Sequence, residues 1–362
     1  MLDVETLALD WLIAQSHTDL PPAAFRRLIQ TVSHPANLLN LPAKTASELL
    51  LCAQRLRRLE RALSSVSIRD QLSAELRRAG AGLICCHCPG YPLLLKEIHD
   101  PPPLLYYRGE LGLLSQPLLA VVGSRRPSRG GVRDATDFAK ALSNSGLTVV
   151  SGMAMGIDSA AHLGALAGKS ASIAVLGTGI DICYPRRNQG LYEELGQSGL
   201  LLSEFAPGTG PRRHQFPLRN RVISGMSLGV LVVEAAINSG SLITARQALE
   251  QNREVFALPG SIHNPASRGC NSLIRQGAKL VDSLGDIIEE LSGWSGNSCE
   301  TAEAQEPLPP EAVVLDLGFE PTPLDVLAQR AELSTAEMLS MLSDLELSGW
   351  VEQTAGGWQR CR

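Results

Sequence analysis

Glycine-rich turns that follow short apolar runs carry the residues of this sequence best suited to chemistry. The first turn, Gly123-Ser124-Arg125, comes directly after the apolar run Leu118–Val122. Glycine lets a backbone N–H approach an anion closely, serine adds a hydroxyl donor, and arginine adds a forked cation. A helix that begins at such a turn adds the positive end of its dipole. These residue types in this order predict a phosphate-binding turn.

Three further turns repeat this chemistry after later apolar runs. Their members are Ser151, Gly152, Gly156 and Asp158; Gly177, Thr178 and Gly179; and Ser239, Gly240 and Ser241. One such turn is a weak signal, because glycine is common at strand ends for steric reasons alone. Since ligands bind outside the carboxyl ends of parallel strands, four turns at one edge predict a phosphate-binding edge. Asp158, at a helix start, either binds backbone N–H groups or acts as a base.

A later segment adds two cations, an amide and an aromatic ring near a predicted helix start. These residues are Phe216, Arg219, Asn220 and Arg221. We predict that Arg125, Arg219 and Arg221 contact successive phosphates. Phe216 either stacks on a base or packs in the core, and the sequence leaves both roles open.

Nucleotide hydrolysis and nicotinamide chemistry have little support in the sequence. Residues 164–170 read Gly-Ala-Leu-Ala-Gly-Lys-Ser, which has three residues between the glycines where a P-loop has four. The segment also lies between a helix and a following strand, whereas a P-loop lies between a strand and a following helix. No Gly-x-Gly-x-x-Gly motif opens the sheet. We therefore expect no nucleotide cofactor.

The cysteine and histidine residues also fail to form a recognisable catalytic or metal motif. Cys85-x-x-Cys88 is half of a zinc signature, but no second pair exists, and the segment reads as a buried strand. Three histidines lie in or near the loops, outside any known catalytic motif: His162, His214 and His263. The sequence predicts a protein without a metal site that is not an enzyme.

The elements that must position the turns form an α/β fold, an extended Rossmann-like and mostly parallel sheet. Apolar runs alternating with helical stretches predict its strands at Leu118–Val122, Leu147–Val150, Ser172–Leu176, Leu200–Leu202, Val230–Val233 and Glu254–Leu258. Runs that are almost entirely apolar are typical of strands that are buried on both faces of a sheet. Leu83–Cys86 and Leu104–Tyr107 are predicted as peripheral strands.

The chain divides into four predicted segments. Residues 1–80 form a helical N-terminal domain, residues 82–291 the Rossmann-like domain, residues 292–310 a flexible linker, and residues 311–362 a winged-helix module. In that module, Pro323–Arg330 and Thr335–Leu347 are predicted helices, and the segments around Trp350 and Trp358 form a two-stranded wing.

The net charge of −5 is unevenly distributed. Residues 116–291 hold 17 Lys and Arg against 14 Asp and Glu, whereas residues 292–362 hold 3 against 12. The middle of the chain is therefore mildly basic, and the acidity belongs to the tail. The N-terminus lacks a secretory signal pattern, and no apolar run reaches the ~18 residues of a membrane helix. We expect a cytoplasmic protein that does not enter membranes.

The motifs together resemble the DNA-processing protein A (DprA/Smf) family. The match covers residues 83–291 in the family's order, through Val122–Arg125, Ser151-Gly152, Gly156–Asp158, Ala161-His162, Val175–Gly179, Tyr184-Pro185, Ser203-Glu204, Phe216-Pro217, Arg219–Arg221, Glu234-Ala235, Ser239–Ala245, Glu254–Ser261 and Gly269–Asn271. The tail resembles the family's winged-helix module less specifically.

The resemblance implies a cytosolic bacterial protein that binds single-stranded DNA without catalytic activity. It implies loading of the RecA recombinase on incoming DNA during natural transformation, with displacement of single-strand-binding protein, by an extended Rossmann domain that is often dimeric. The family's DNA pocket carries over to Gly123, Ser124, Arg125, the Ser151–Asp158 and Gly177–Gly179 loops, Phe216, Arg219, Asn220 and Arg221.

Two departures from the family pattern change the expectations for the terminal domains. Asp19–Ala23 stands where a glycine hairpin is expected, which argues against a DNA-gripping hairpin in the N-terminal domain. The second helix of the winged module carries Glu337, Asp344 and Glu346 and no Lys or Arg. Because groove binding needs cations on that helix, we predict that the module contacts protein or covers a basic face.

Two other functions remain as alternatives at this stage. The first is a nucleotide-processing enzyme similar to the lysine-decarboxylase-like phosphoribohydrolases, but the Pro-Gly-Gly-x-Gly-Thr loop of those enzymes is replaced here by Glu234–Ser241. The second is a transcription regulator that uses the winged helix, which the charge of the tail disfavours.

Overall fold

The computed structural model describes residues 4–291, 317, 321–331, 333–348 and 350–360. The chain divides into two compact units, Met1–Ser298 and Cys299–Arg362. The predicted linker, residues 292–310, lies outside the described residues.

The N-terminal part of the first unit is helical, as predicted. Its helices are α1 (Val4–Thr18), α2 (Pro22–Thr31), α3 (Ala43–Glu48), α4 (Ala53–Leu63) and α5 (Val66–Arg78), with a 3₁₀ turn at Pro35–Asn40. Trp11 of α1 is fully buried, contacts Phe25 edge-on at 6.1 Å and stacks on His87 at 5.9 Å between ring centroids. These helices and the sheet share one apolar core, and a separate domain at residues 1–80 stays a prediction.

A nine-stranded sheet forms the centre of the unit. Its strands are β1 (Gly82–Cys85), β2 (Leu104–Gly109), β3 (Leu118–Val122), β4 (Thr148–Ser151), β5 (Ser172–Leu176), β6 (Leu200–Ser203), β7 (Gly229–Val232), β8 (Glu254–Ala257) and β9 (Lys279–Leu280). They are ordered β1-β2-β6-β5-β4-β3-β7-β8-β9. The seven strands from β6 to β9 are parallel, whereas β2 runs antiparallel to both β6 and β1. The predicted mostly parallel sheet is confirmed.

Helices cover both faces of this sheet. They are α6 (Leu93–Glu97), α7 (Arg129–Asn144), α8 (Ile157–Leu166), α9 (Gln189–Ser198), α10 (Gln215–Gly225), α11 (Ser241–Glu250), α12 (Arg268–Arg275) and α13 (Leu284–Glu290). From β3 the chain adds β4, β5 and β6 on one side of β3, and then crosses back to place β7, β8 and β9 on its other side. The crevice outside β3 and β7 is therefore the topological switch point, where ligands bind in open α/β sheets.

The predicted strands all occur, with ends that shift by at most two residues. Leu118–Val122 and Ser172–Leu176 match the observed strands, and the predicted peripheral strands are β1 and β2. The sequence reasoning missed β9, whose two residues are too few to give an apolar run.

The second unit has the predicted winged-helix elements. They are α14 (Leu324–Arg330), α15 (Thr335–Leu347), β10 (Val351–Thr354) and β11 (Gly357–Arg360). Met338, Leu342 and Trp358 are buried in its own small core. Ser334 and Glu337 form a capping box at the start of α15, which lowers the pKa of the Glu337 carboxyl.

No helix in the described part of the chain combines the length and apolar character needed to span a bilayer.

Candidate nucleic-acid interface

A pocket of about 530 Å³ lies at the switch point between β3 and β7, and we call it the switch pocket. Ten of the predicted site residues line it: Gly123, Ser124, Arg125, Asp158, Phe216, Arg219, Asn220, Ser239, Gly240 and Ser241. They come from the loops after β3, β4 and β7 and from the first half of α10. The structure therefore brings three of the four glycine turns to one cavity.

Close packing around Gly123 shapes the rear of the pocket. A Cβ atom on Gly123 would lie 2.6 Å from the Ile157 side chain and 2.9 Å from the Glu234 carbonyl oxygen. The next residue, Ser124, donates its backbone N–H to that same carbonyl at 2.7 Å. Gly156, at φ +85°, faces the Ser124 carbonyl so closely that a Cβ would lie 2.3 Å from it. Glycine is required here so that the loops after β3 and β4 meet.

Glu234 fixes the loop after β3 from the far side, a role that the sequence did not reveal. Its buried carboxylate accepts hydrogen bonds from the N–H and hydroxyl of Ser128, both at 3.0 Å. A Cβ on Gly131 would come within 2.0 Å of this carboxylate. The acid therefore caps the N-terminus of α7 and leaves the adjacent Gly123–Arg126 turn open to the pocket.

Arg125 and the Phe216 ring line the pocket, and a second aromatic ring, that of Tyr184, lies beside Phe216 outside the lining. The exposed Arg125 guanidinium lies 5.7 Å from the centroid of the Phe216 ring. The centroid of the Tyr184 ring lies 5.6 Å from that of the Phe216 ring, and Tyr184 is 45% exposed. The sequence analysis did not include Tyr184 in the site. Gly177 packs beneath Phe216, where a Cβ would lie 2.8 Å from the ring. The glycine turn after β5 thus supports the aromatic ring rather than lining the pocket.

Arg219 is a buried arginine at the base of the pocket. Its Nη1 donates to the carbonyl oxygens of Gly152 and Val175, at the ends of β4 and β5. Its Nε donates to the Asn220 side-chain oxygen at 3.1 Å. Burial lowers the pKa of Arg219 to about 10, and the nearby Asp158 carboxylate opposes that shift. The guanidinium therefore ties two strands together and gives the base of the pocket a positive charge.

Asp158 binds backbone groups in this structure. Its carboxylate accepts the N–H groups of Gly152 at 3.2 Å and Ala154 at 3.3 Å. Burial raises its pKa, while Arg219 acts in the opposite direction. Between the two roles that the sequence left open, the geometry favours the backbone-binding one.

Arg221 is not part of the switch pocket. Residues two apart on a helix point to opposite sides, and Arg219 and Arg221 are two apart on α10. Arg221 Nη2 binds both carboxylate oxygens of Glu204 at 2.7 and 2.6 Å, and its Nε lies 3.1 Å from Asp100. The predicted row of three arginines is corrected: Arg125 and Arg219 share the pocket, and Arg221 lies on the far side of the helix.

Two other predicted site residues are structural. Ser151 is buried, and its hydroxyl donates to the Val121 carbonyl at 2.7 Å. The Thr178 hydroxyl is buried and donates to the Ile182 carbonyl at 2.7 Å. Gly179 belongs to the same turn and also lies outside the pocket lining.

The turn before α11 faces the pocket directly. The hydroxyl groups of Ser239 and Ser241 lie 2.7 Å apart, on either side of the exposed Gly240. α11 begins at Ser241, so the positive end of its dipole and these two hydroxyls lie at the pocket, while the N–H groups of its first turn donate to Ser239 and Gly240. Exposed Arg126 and Asn238 also line the pocket, and neither was in the predicted set.

Of the histidine and cysteine residues singled out in the sequence, His162, Cys85 and Cys88 lie inside the fold, whereas His214 and His263 are exposed. His162 is fully buried, with Nδ1 2.8 Å from the Ser172 hydroxyl, and burial lowers its pKa to about 3. Cys85 and Cys88 are buried, with their Sγ atoms 2.8 Å apart. In the described ranges, no group of three His, Cys, Asp or Glu side chains is placed to hold a metal ion.

Comparison with known proteins places this fold and site in one family. The family model described as DNA recombination-mediator protein A matches residues 82–292, and the DprA winged helix domain matches residues 300–357. Protein Smf of Escherichia coli is 46% identical over 281 residues, which is 75% of each chain. The DNA processing protein DprA of Streptococcus pneumoniae is 47% identical over 220 residues, which is 61% of this chain and 77% of the relative.

Solved structures agree with the sequence comparisons. The X-ray structure of DprA from Streptococcus pneumoniae superposes with a TM-score of 0.67 at 38% identity, covering 78% of this chain and 97% of that one. DprA from Helicobacter pylori, whose structure was described for its single-stranded DNA binding mode, superposes with a TM-score of 0.52 at 32% identity. That match covers 55% of this chain and 92% of the other. The chain belongs to the DprA/Smf family of DNA-processing proteins.

Proposed function

We propose that this chain binds single-stranded DNA in the switch pocket. The observation that carries the proposal is an exposed guanidinium, Arg125, held over the Phe216 ring at the mouth of a glycine-lined cavity. The guanidinium offers donors to phosphate oxygens, the start of α11 adds the positive end of its dipole, and the rings offer stacking faces to bases. In this proposal Arg219 acts as a buried positive charge beneath the phosphates, and Ser239 and Ser241 supply hydroxyl donors.

The shape of the pocket favours a single strand over a duplex. Phe216 is half-buried, Tyr184 is nearly half-exposed, and the two rings lie 5.6 Å apart at one side of the cavity. A base must leave its stack to reach these rings, which a single strand permits and a paired duplex resists. This geometry supports the stacking role of Phe216 that the sequence had left open.

We extend the proposal to a recombination mediator that acts without catalysis. The support is membership of a family whose model is described as a recombination mediator, together with the single-stranded DNA binding described for the Helicobacter pylori relative. The proposed partners are single-stranded DNA, the RecA recombinase, single-strand-binding protein and a second copy of this chain. The proposed location is the cytoplasm.

The acids beside the pocket support a binding role over a nucleotide-processing role. The Asp158 carboxylate accepts two backbone N–H groups, and the Glu234 carboxylate accepts both donors of Ser128. A hydrolase needs an acid or base within reach of its substrate. Both acids are instead committed to holding the loops.

Two assays on the full chain test this proposal. Fluorescence anisotropy with a labelled oligo(dT) measures binding, and release of free base from nucleoside monophosphates measures the alternative activity. We expect saturable binding to the oligonucleotide and no free base above the rate without protein. Release of free base without binding of the oligonucleotide would overturn the proposal.

A further inference from the structure

The second helix of the winged module, α15, exposes one side along its length, which we call the α15 face. Its members recur every three or four positions, so they lie on one side of the helix. They are Ala336, Leu339, Ser340, Ser343 and Leu347. Met338, Leu342 and Leu345 have the same spacing on the other side of α15 and are buried in the module's own core. The helix therefore uses one side for folding and leaves the other open.

Two leucines give the α15 face an apolar surface. The Leu347 side chain is 88% exposed, more than any other large apolar side chain among the described residues, and Leu339 is 43% exposed. Eight positions separate them, which is about two turns and about 12 Å along the helix. Ser343 lies midway on the same row, and its hydroxyl donates to the Leu339 carbonyl at 2.9 Å. This small serine leaves a notch between the leucines that fits a side chain of a second helix.

Exposed carboxylates border the α15 face on both sides. With about 100° of rotation per residue, Glu346 lies beside one edge of the face, and Glu337 and Asp344 lie beside the other. The Glu337 carboxylate accepts both donors of Ser334, and Glu346 accepts the Gln353 N–H at 3.2 Å. The Asp344 carboxylate forms no hydrogen bond or ion pair with the residues that the structure describes. Asp344 is therefore the acid most available to a partner.

The charge of the module favours a basic partner. Residues 321–331, 333–348 and 350–360 include two arginines against five acids, and α15 itself has three acids and no Lys or Arg. This helix would repel a nucleic acid, because groove binding needs cations that contact the phosphates. A protein segment with Lys or Arg on both sides of an apolar row would match both the leucines and the carboxylates.

We propose that the α15 face binds a basic amphipathic helix of a partner protein. The apolar row of that helix packs along Leu339 and Leu347, and its cations pair with Asp344 and Glu346. Burial of the leucines supplies most of the affinity, and the exposed carboxylates fix the orientation of the partner. This inference does not rest on the proposed function, because it concerns a protein ligand and a separate compact unit.

The test uses a fluorescein-labelled 14-residue helical peptide of leucine and lysine, with its leucines on one side. The same peptide with glutamate in place of lysine is the control for charge. Anisotropy titrations of the full chain measure the binding of both peptides. We expect the lysine peptide to bind in a saturable manner and the glutamate peptide to remain unbound, because its charges repel the acids beside the α15 face.

Variants of the full chain locate the binding site. Leu347→Ser and Leu339→Ser should each weaken binding of the lysine peptide about tenfold or more, because each removes one leucine from the contact. Asp344→Asn should weaken it up to about fivefold at low salt and have no effect near 1 M salt. Leu93→Ser, which replaces a 78% exposed leucine on α6, is the matched control and should leave the affinity unchanged.

Four outcomes would overturn the inference. Two of them are unchanged affinity for the lysine peptide in both leucine variants and equal binding of the two peptides. A changed sedimentation coefficient of Leu347→Ser without peptide would show that a second copy occupies the face. Loss of oligo(dT) binding in the same variant would show that DNA does. Circular dichroism checks that the variants fold, and wild-type oligo(dT) binding in all of them would keep the result separate from the proposed function.

Discussion

Replacing Arg125 with alanine should weaken DNA binding without affecting the fold. Arg125 is exposed, forms no ion pair within the described residues and contacts the Phe216 ring at 5.7 Å, so its removal leaves no buried charge unpaired. Each phosphate contact on a single strand contributes about −0.7 to the slope of log K against log salt. A fourfold rise in salt, from about 50 to 200 mM, should therefore weaken wild-type binding about 2.6-fold more than it weakens the variant.

The assay is fluorescence anisotropy with oligo(dT) at several salt concentrations. Arg77→Ala, an exposed arginine on α5, is the matched control for loss of one surface charge. Arg125→Lys should restore most of the salt slope, because lysine keeps the charge, but less of the affinity, because it lacks the planar fork. An Arg125→Ala variant with wild-type affinity and wild-type slope would show that the phosphates bind elsewhere.

Three other perturbations have defined outcomes. Gly177→Ala places a Cβ 2.8 Å from the Phe216 ring, so it should tilt the ring and cost about 1 kcal/mol of stacking in oligo(dT) titrations; unchanged affinity would contradict stacking. Burial lowers the pKa of His162 from 6.5 to about 3, so below pH 6.5 the unfolded chain takes up a proton that the folded chain does not. Urea unfolding should show about 1.4 kcal/mol of stability lost through this group between pH 7.5 and 5.5, and an equal loss in His162→Gln would refute that assignment. A chain ending at Leu291 lacks a segment with 3 Lys and Arg against 12 Asp and Glu and should bind oligo(dT) as tightly as the full chain or tighter. Loss of most affinity in a folded truncation would show that the winged module binds DNA.

The sequence predicted the sheet well, because strands buried on both faces are continuous apolar runs. Leu118–Val122 and Ser172–Leu176 each end directly before a glycine and were predicted at their observed ends. The lateral order of the strands was not predictable, since it depends on contacts between distant segments. That order decides that the turns after β3 and β7 meet at the switch point, while the turn after β5 lies to one side.

Ten of the residues that the sequence predicted for the site line one pocket, but the sequence did not predict the direction of each side chain. Arg219 and Arg221 are only two residues apart in the motif, yet two steps of about 100° along an α-helix point them to different sides of α10. Glu234 acts on Ser128, 106 residues away, and no local pattern reports such a contact. Tyr184 carried a signal, because it belongs to the family motif as an aromatic residue in a loop, but only the fold shows that it lies beside Phe216.

Competition between strand types tests directly whether the switch pocket binds a single DNA strand. Labelled oligo(dT) bound to the full chain is displaced by unlabelled single strands or by the corresponding duplex at the same salt. We expect the single strand to compete at least about tenfold better, which corresponds to about 1.4 kcal/mol, a value within the stacking free energy of one or two bases. Equal competition by duplex and single strand would contradict it.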